Sequence, residues 1–373
     1  MSCQPSNKSQ KSREVQRGAA LVIALLVFAL AAALMVGVQR DFTLQLQRST
    51  NTFFAEQGWS FLLGAESLAE LALRLDADED GRSDTPVDSL LEVWAQPQAP
   101  FPLDGIGFLS GDLYDLQGRF NLNGLVESPR QPGGQRTGEG APDGQGPGAE
   151  EQDAPPPVNE SNDPSKRLNT QQRVFLRLLL SIEEAELNRG EAMRLVERVS
   201  DFIDADRTPR LDGAESEVYL TSAFPYRPPN RPLASVSELR AVDGITPELY
   251  TLIAPYLTVW PVEGSKVNIL TAPPQLLAAL AGDDAFEPLA SQEVARIVEL
   301  RSEGMITDVD TYLSDALFTN STTTELREMI DVKSDWFLLD ARVDIADRER
   351  RLYSVLHRQG RGVSVVHRTE GEL

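Results

Sequence analysis

The chain has 373 residues and a formal net charge of -22, with one cysteine and two histidines. So acidic a chain is not expected to bind nucleic acid, because phosphate recognition needs clustered Lys and Arg. A single cysteine, Cys3, supplies neither a disulfide nor a Cys-ligated zinc site, and thiolate catalysis has no further candidate. His357 and His367 fall in alternating C-terminal segments and read as strand residues, not as an acid–base pair, so the chain is not read as an enzyme.

The first segment, residues 1–18, is hydrophilic and carries Lys8, Lys11, Arg13 and Arg17 against Glu14. It meets a run without charge, Ala19 to Val38, at Arg17-Gly18-Ala19. A secretory signal peptide is cut beyond its apolar region, after small residues. Here the small residue precedes the apolar run, so cleavage between Gly18 and Ala19 would leave that run on the mature chain. This junction resembles a prepilin-type signal, which implies a prepilin peptidase that cuts after Gly18 and methylates the Ala19 amine. Twenty helical residues at about 1.5 Å each span the roughly 30 Å of a bilayer core, so 19–38 is expected to cross a membrane once. The basic leader would stay cytoplasmic and the remainder would lie in the periplasm.

No proline interrupts residues 41–75, and Phe54, Phe61, Ala65, Leu68, Ala72 and Leu75 recur at helical spacing, so a single helix is expected over 19–75. The period then changes to alternation. Strands are expected at 107–115 and 118–122, paired antiparallel around Gln117-Gly118, within the first part of a head, 76–127. Residues 128–165 hold seven Gly, eight Pro and only Val158 as a larger aliphatic, and read as a disordered loop. Helical patterning occupies 166–330, in two parts near 166–262 and 263–330. Alternation returns in 331–373, with strands at 336–345, 351–358 and 363–368 and turns at Asp347-Arg348 and Gly360-Arg361-Gly362. Strands on both sides of a helical block imply an α+β head: a long N-terminal helix, an antiparallel sheet and a large inserted all-α domain.

Two acidic clusters have metal-binding chemistry. The first runs through Asp201, Asp204, Asp206, Asp212, Glu215 and Glu217 on a loop after a helix. Calcium takes about six to eight hard oxygens and suits such a loop; the competing reading is a solvated acidic loop in which Asp204 or Asp206 caps a helix. The second, Asp76-Ala77-Asp78-Glu79-Asp80-Gly81, has the D-x-D-x-D-G spacing of calcium loops, but Val87 stands where the twelfth-position glutamate belongs. The block also echoes helix-hairpin-helix modules at Ser237–Ile245 and Asn268–Pro273. Asp243 and Glu248 beside the first, and Gly282-Asp283-Asp284 after the second, oppose phosphate binding, so these read as folding units.

With the junction, Asp115-Leu116-Gln117-Gly118-Arg119-Phe120-Asn121-Leu122-Asn123, Asp201–Asp206, Gly213-Ala214-Glu215, Pro225-Tyr226-Arg227 with Asn230, Val236–Arg240 and Val267–Pro273 in view, the chain resembles the K-type minor pseudopilins of the type II secretion system. The resemblance implies an insert of SAM-like, helix-hairpin-helix-like subdomains and structural calcium held by Asp204, Asp206, Asp212 and Glu215, with Glu217 and Asn230 as helpers. It implies a tip complex with I-type and J-type minor pseudopilins, and contacts with H-type and major G-type pseudopilins and the inner-membrane secretion platform. Major pilins place a glutamate at the fifth mature position, where this chain has Ile23. A carboxylate in lipid needs a partner, and in such filaments that partner is a neighbour's amine. A subunit lacking it suits the filament tip. The alternative reading is a minor pilin of a type IV pilus or competence system with an adhesive or DNA-binding head.

Overall fold

The computed structural model describes residues 11–126, 167–222, 224–280, 286–314, 323–346 and 348–371. The loop expected at 128–165, Cys3, Gly282-Asp283-Asp284 and Asp347 of the 347–348 turn lie outside the described residues. The first element, α1, runs from Lys11 to Asp80 without a break, about 105 Å at the usual rise. It therefore extends beyond both limits of the expected 19–75. Its far end absorbs Asp76, Asp78 and Asp80. On a helix Asp76 and Asp80 share a face while Asp78, two residues from each, points away from them, so the D-x-D-x-D-G run is the helix's last turn and not a calcium loop.

A five-stranded antiparallel sheet packs on the upper half of α1, in the order β1 (Phe101–Leu103), β2 (Gly107–Asp115), β7 (Trp336–Ile345), β8 (Arg348–Gln359) and β9 (Gly362–Thr369). Alternation sorts β7 cleanly: Phe337, Leu339, Ala341, Val343 and Ile345 are buried together with Leu62, Ala65, Ala69 and Leu73 of α1. The helix face that meets the sheet is thus turned from the expected stripe. Ala65 belongs to it, Phe54 and Phe61 flank it, and Leu68 and Leu75 are exposed. A polar contact fixes the rotation. Glu66 is buried, accepts from Ser354 Oγ at 2.7 Å and takes both Nε (2.7 Å) and Nη2 (2.8 Å) of Arg368. Burial would raise the Glu66 pKa, but these donors outweigh it and hold it below the usual range.

Helix and β8 climb together. Arg348 donates to Asn51 Oδ1 (2.6 Å), Arg350 to the Ala55 carbonyl (2.7 Å) and Arg358 to Asp76 Oδ2 (2.6 Å). The end of the sheet carrying Asp115 and Trp336 is therefore the one far from the apolar start of α1, and the helical block leaves and re-enters there.

Residues 118–122 do not pair with β2 as expected. β3 (Phe120–Asn121) pairs parallel with β4 (Leu257–Thr258) instead. The chain passes tightly under Thr271 at this point, where a Cβ on Gly118 would lie 2.6 Å from Thr271 Oγ1. Phe120 then inserts its ring against Phe175 at 5.4 Å, which commits this segment to the helical core and not to the sheet. That core comprises α2 (Thr170–Ser181), α3 (Arg189–Ile203), α4 (Ser216–Leu220), α5 (Pro247–Ile253), α6 (Pro274–Ala279), α7 (Ser291–Ser302), α8 (Val309–Leu313) and α9 (Thr323–Met329). Capping boxes Asn169/Gln172 and Asn188/Glu191 start α2 and α3. β5 (Val267–Asn268) pairs parallel with β6 (Ile330–Asp331), closing the block just before β7.

Asp115 ties block to sheet. It is 7% exposed, and its Oδ2 accepts from Asn268 Nδ2 (3.0 Å), Thr271 Oγ1 (2.5 Å) and Ser334 Oγ (2.6 Å), while Oδ1 accepts from Gln117 N (2.7 Å). Asn268 also donates to the Asp88 carbonyl at 2.9 Å. Replacing Asp115 by Ala strands three buried donors, each costing about 1–3 kcal/mol. Asp115→Ala is expected to lower stability by about 3 kcal/mol or more in denaturant titrations, and Asp115→Asn by clearly less.

Candidate functional site

Gly18 and Ala19 lie within α1, and Ala19 and Ile23 are exposed. The apolar stretch that begins at Ala19 has a window of mean hydropathy 3.0, buried nowhere against the rest of the chain. By length and composition this helix can cross a membrane. Above that stretch a second apolar stripe stays open: Phe42, Leu46, Phe53, Leu68, Leu71 and Leu75 are all exposed. At 100° per residue they share an arc of about 80°, roughly opposite the face that Leu62, Ala65, Ala69 and Leu73 turn to the sheet.

The acidic cluster forms where α3 ends. Asp204 closes α3, and its backbone N–H donates to the Ser200 carbonyl at 3.0 Å. The loop doubles back so that Arg210 N reaches Asp201 Oδ2 (3.1 Å) and its guanidinium bridges Asp201 and Asp204. Gly213 is required here, since a Cβ would sit 1.9 Å from Asp201 Oδ2. Glu215 follows at the start of α4, and carboxylate oxygens of Asp204, Asp206 and Glu215 lie within 4.8 Å of one another. Asn230, held at φ +44°, donates from Nδ2 to the Asp206 carbonyl at 2.5 Å.

Of the expected ligands, three converge. Asp212 turns away: its Oδ2 accepts from Arg167 Nη2 at 2.8 Å and its N–H donates to Glu197 Oε2 at 2.7 Å. Glu217 is exposed on the first turn of α4. The sequence reading missed Arg210, whose charge lies inside the cluster; its spacing from Asp201 gave no sign of a folded-back loop.

The cluster is electrostatically unfinished. Asp204 Oδ1 and both carboxylate oxygens of Glu215 are buried without a hydrogen-bond partner among the described residues. Burial, with the neighbouring charges of Asp201 and Asp204, pushes Glu215 up to about 7. Burial raises Asp204 to about 6 against the pull of Arg210. A second group, Asp76, Asp88 and Glu92, also lies within 4.8 Å, but it is built around a cation. Arg358 Nη2 binds Asp88 Oδ1 at 2.5 Å and Glu92 Oε2 accepts from Trp94 Nε1 at 2.6 Å.

A model of the family "Type II secretion system (T2SS), protein K" matches residues 118–262. Type II secretion system protein K of Pseudomonas aeruginosa is 30% identical over 364 residues, covering 96% of this chain and 94% of that protein. The chain belongs to the type II secretion system protein K family. The Pectobacterium carotovorum protein K is 28% identical, across 96% of this chain and 98% of its own. Among solved structures, a chain of the GspK-GspI-GspJ complex from the enterotoxigenic Escherichia coli type 2 secretion system aligns with TM-score 0.63 and 23% identity, over 87% of this chain and all of that one. That likeness establishes the α+β protein K fold, with its long helix, antiparallel sheet and further helices. The chain is thus a member of a pseudopilin family, a structural component of the secretion system, and the alternative of a type IV or competence pilin falls away.

Raised carboxyl pKa values carry a definite sign. Asp204 and Glu215 favour the folded state while protonated, and that contribution is lost as pH rises through about 6 and 7. In chelator, the thermal midpoint of the protein should therefore decline between about pH 4 and 7.5 relative to Glu215→Gln, whose position 215 cannot ionise; the two should converge at the acid end.

Proposed function

We propose that this chain is a minor pseudopilin that initiates and caps the tip of the periplasmic pseudopilus, for export of folded proteins across the outer membrane. The observation that carries this reading is the open stripe on α1, Phe42 to Leu75, beneath a head whose far end is filled by the helical insert. Burying a large apolar side chain contributes about 1.5–3 kcal/mol, so six of them offer ample drive for a lateral helix partner. The bulk of the insert obstructs a subunit stacking from above. The I-type and J-type minor pseudopilins are the expected partners on that stripe, supported by the complex in which the solved relative was found; the H-type and major G-type pseudopilins would follow below. The helix start lies in the inner membrane and the head in the periplasm, after prepilin peptidase has cut between Gly18 and Ala19. Ile23 in the place of a glutamate fits a subunit with no neighbour above to pair with.

Calcium belongs to the same reading. The three orphaned oxygens of Asp204 and Glu215, with Asp206 beside them, fit a hard cation, and metal binding would satisfy groups that the protein alone leaves unpaired. Asp204, Asp206 and Glu215 would hold it, Asn230 would brace the Asp206 backbone, and Asp212 and Glu217 would need a loop rearrangement to join.

Three measurements test this. Intact-mass analysis of the membrane form should give a methylated Ala19 terminus, lost in Gly18→Val. Calcium should raise the thermal midpoint, with the shift growing from pH 5 to pH 7.5 as the carboxyls ionise; saturation at about 100 times Kd corresponds to about 2.7 kcal/mol. An unchanged midpoint, or the same shift in Asp204→Ala/Asp206→Ala, rejects the site. Photocrosslinkers at Leu68 and Leu75 should capture I-type and J-type partners, and Leu71→Glu should abolish capture. Crosslinks spread evenly along the pseudopilus shaft would reject the tip position.

A further inference from the structure

Between the sheet's outer face and the insert lies a cavity of about 80 Å³, lined by Leu116, Arg119, Tyr250, Leu257, Trp260 and Leu338 among others. It is larger than the roughly 30 Å³ share of one water and far below the roughly 300 Å³ or more of a drug-sized ligand site. Its walls are mostly aliphatic and aromatic. Its two strongest polar groups are both donors, and neither has an acceptor among the described residues.

The first is Arg119. Its guanidinium carbon lies 5.8 Å from the centre of the Tyr114 ring, and among the described residues it makes no ion pair or hydrogen bond. Asp115 attracts it through space, but the Asp115 oxygens are already taken by Gln117, Asn268, Thr271 and Ser334. Burial consequently holds Arg119 below the ordinary arginine range, whereas Arg358 and Arg210, each between two carboxylates, are pushed above it. The second donor is the indole N–H of Trp260, buried and without a partner among the described residues. Its ring stacks with Trp336 at 5.9 Å and with His367 at 5.7 Å, contacts that resist its turning to find one.

A half-buried cation without an ion pair, lining one cavity with an orphaned N–H, is costly unless an anion completes it. The chemistry suits a carboxylate, whose two oxygens match a guanidinium fork and whose short alkyl end meets Leu116, Leu257 and Leu338. We propose that this cavity is an anion subsite that accepts one carboxylate group, held by Arg119 and Trp260 at the seam between sheet and insert. The carboxylate can arrive as a small free acid or on an acidic side chain of another protein. Occupation would bridge β2, β7 and the insert, tightening the joint that Asp115 anchors.

The test uses full-length protein in detergent micelles with 15N-labelled tryptophan indoles, the Trp260 resonance being assigned through Trp260→Phe. Sodium acetate, titrated against sodium chloride at constant ionic strength, should move the Trp260 N–H saturably, and Arg119→Gln should weaken the apparent affinity at least tenfold. Arg119→Lys, which keeps the charge but not the fork, should fall between. N-acetyl-aspartate amide separates the sources: a response like that of acetate points to a protein-borne carboxylate, and a response to acetate alone points to a free acid. A Trp260 resonance unmoved by acetate, or moved equally in Arg119→Gln, overturns the proposal. Neither result bears on assembly at the pseudopilus tip, which the crosslinks read separately.

Discussion

One buried carboxylate organises the junction on which this molecule depends. Asp115 ends the second strand, and its four accepted hydrogen bonds come from the loop after it, from two residues of the insert and from Ser334 just ahead of the seventh strand. Chain segments far apart in sequence thus meet at one acceptor. Burial raises the Asp115 pKa, so the network specifies an arrangement more than it adds net stability. Its value lies in what a wrong arrangement would cost, since each donor displaced from it would be left buried and unpaired.

From this point the constraint spreads to the long helix. Ser334 N–H binds Asp88 Oδ2 at 2.8 Å, and Asp88 and Asp76 share Arg358. The top of the helix, the top of the sheet and the root of the insert are therefore one polar knot. The Glu66–Arg368–Ser354 contact sets the helix rotation lower down. Together they decide which helix face is spent on the sheet. The stripe from Phe42 to Leu75 is left over as a consequence, and a filament subunit has use for such a surface.

The acidic loop follows a different logic. One arginine faces several carboxylates at both places, but Asp76, Asp88 and Glu92 find donors in Arg358, Ser334 and Trp94, whereas at Asp204 and Glu215 three oxygens remain without donors among the described residues. Identical residue types thus serve as a closed structural joint in one place and an open one in the other. The difference lies in how many donors the fold brings, which residue counts do not reveal.

Much was legible in the sequence because it depends on neighbouring residues. The uncharged run after Gly18, the proline-free helix and the alternation of 107–115 and 336–345 are local periodicities, and each became the element it suggested. The conspicuous motif around Asp115 and the run Val267–Pro273 pointed to the family without revealing that Asp115, Asn268 and Thr271 touch. Three matters were left to tertiary structure. The pairing of 120–121 with 257–258 joins residues far apart in sequence; the helix face turned to the sheet was chosen by Glu66 and not by the apolar stripe; and Arg210 reached the acidic cluster by a folded-back loop. Periodicity fixes how a segment folds on itself, because the backbone geometry is short-ranged. Which buried donor meets which acceptor is decided only when the whole chain has closed.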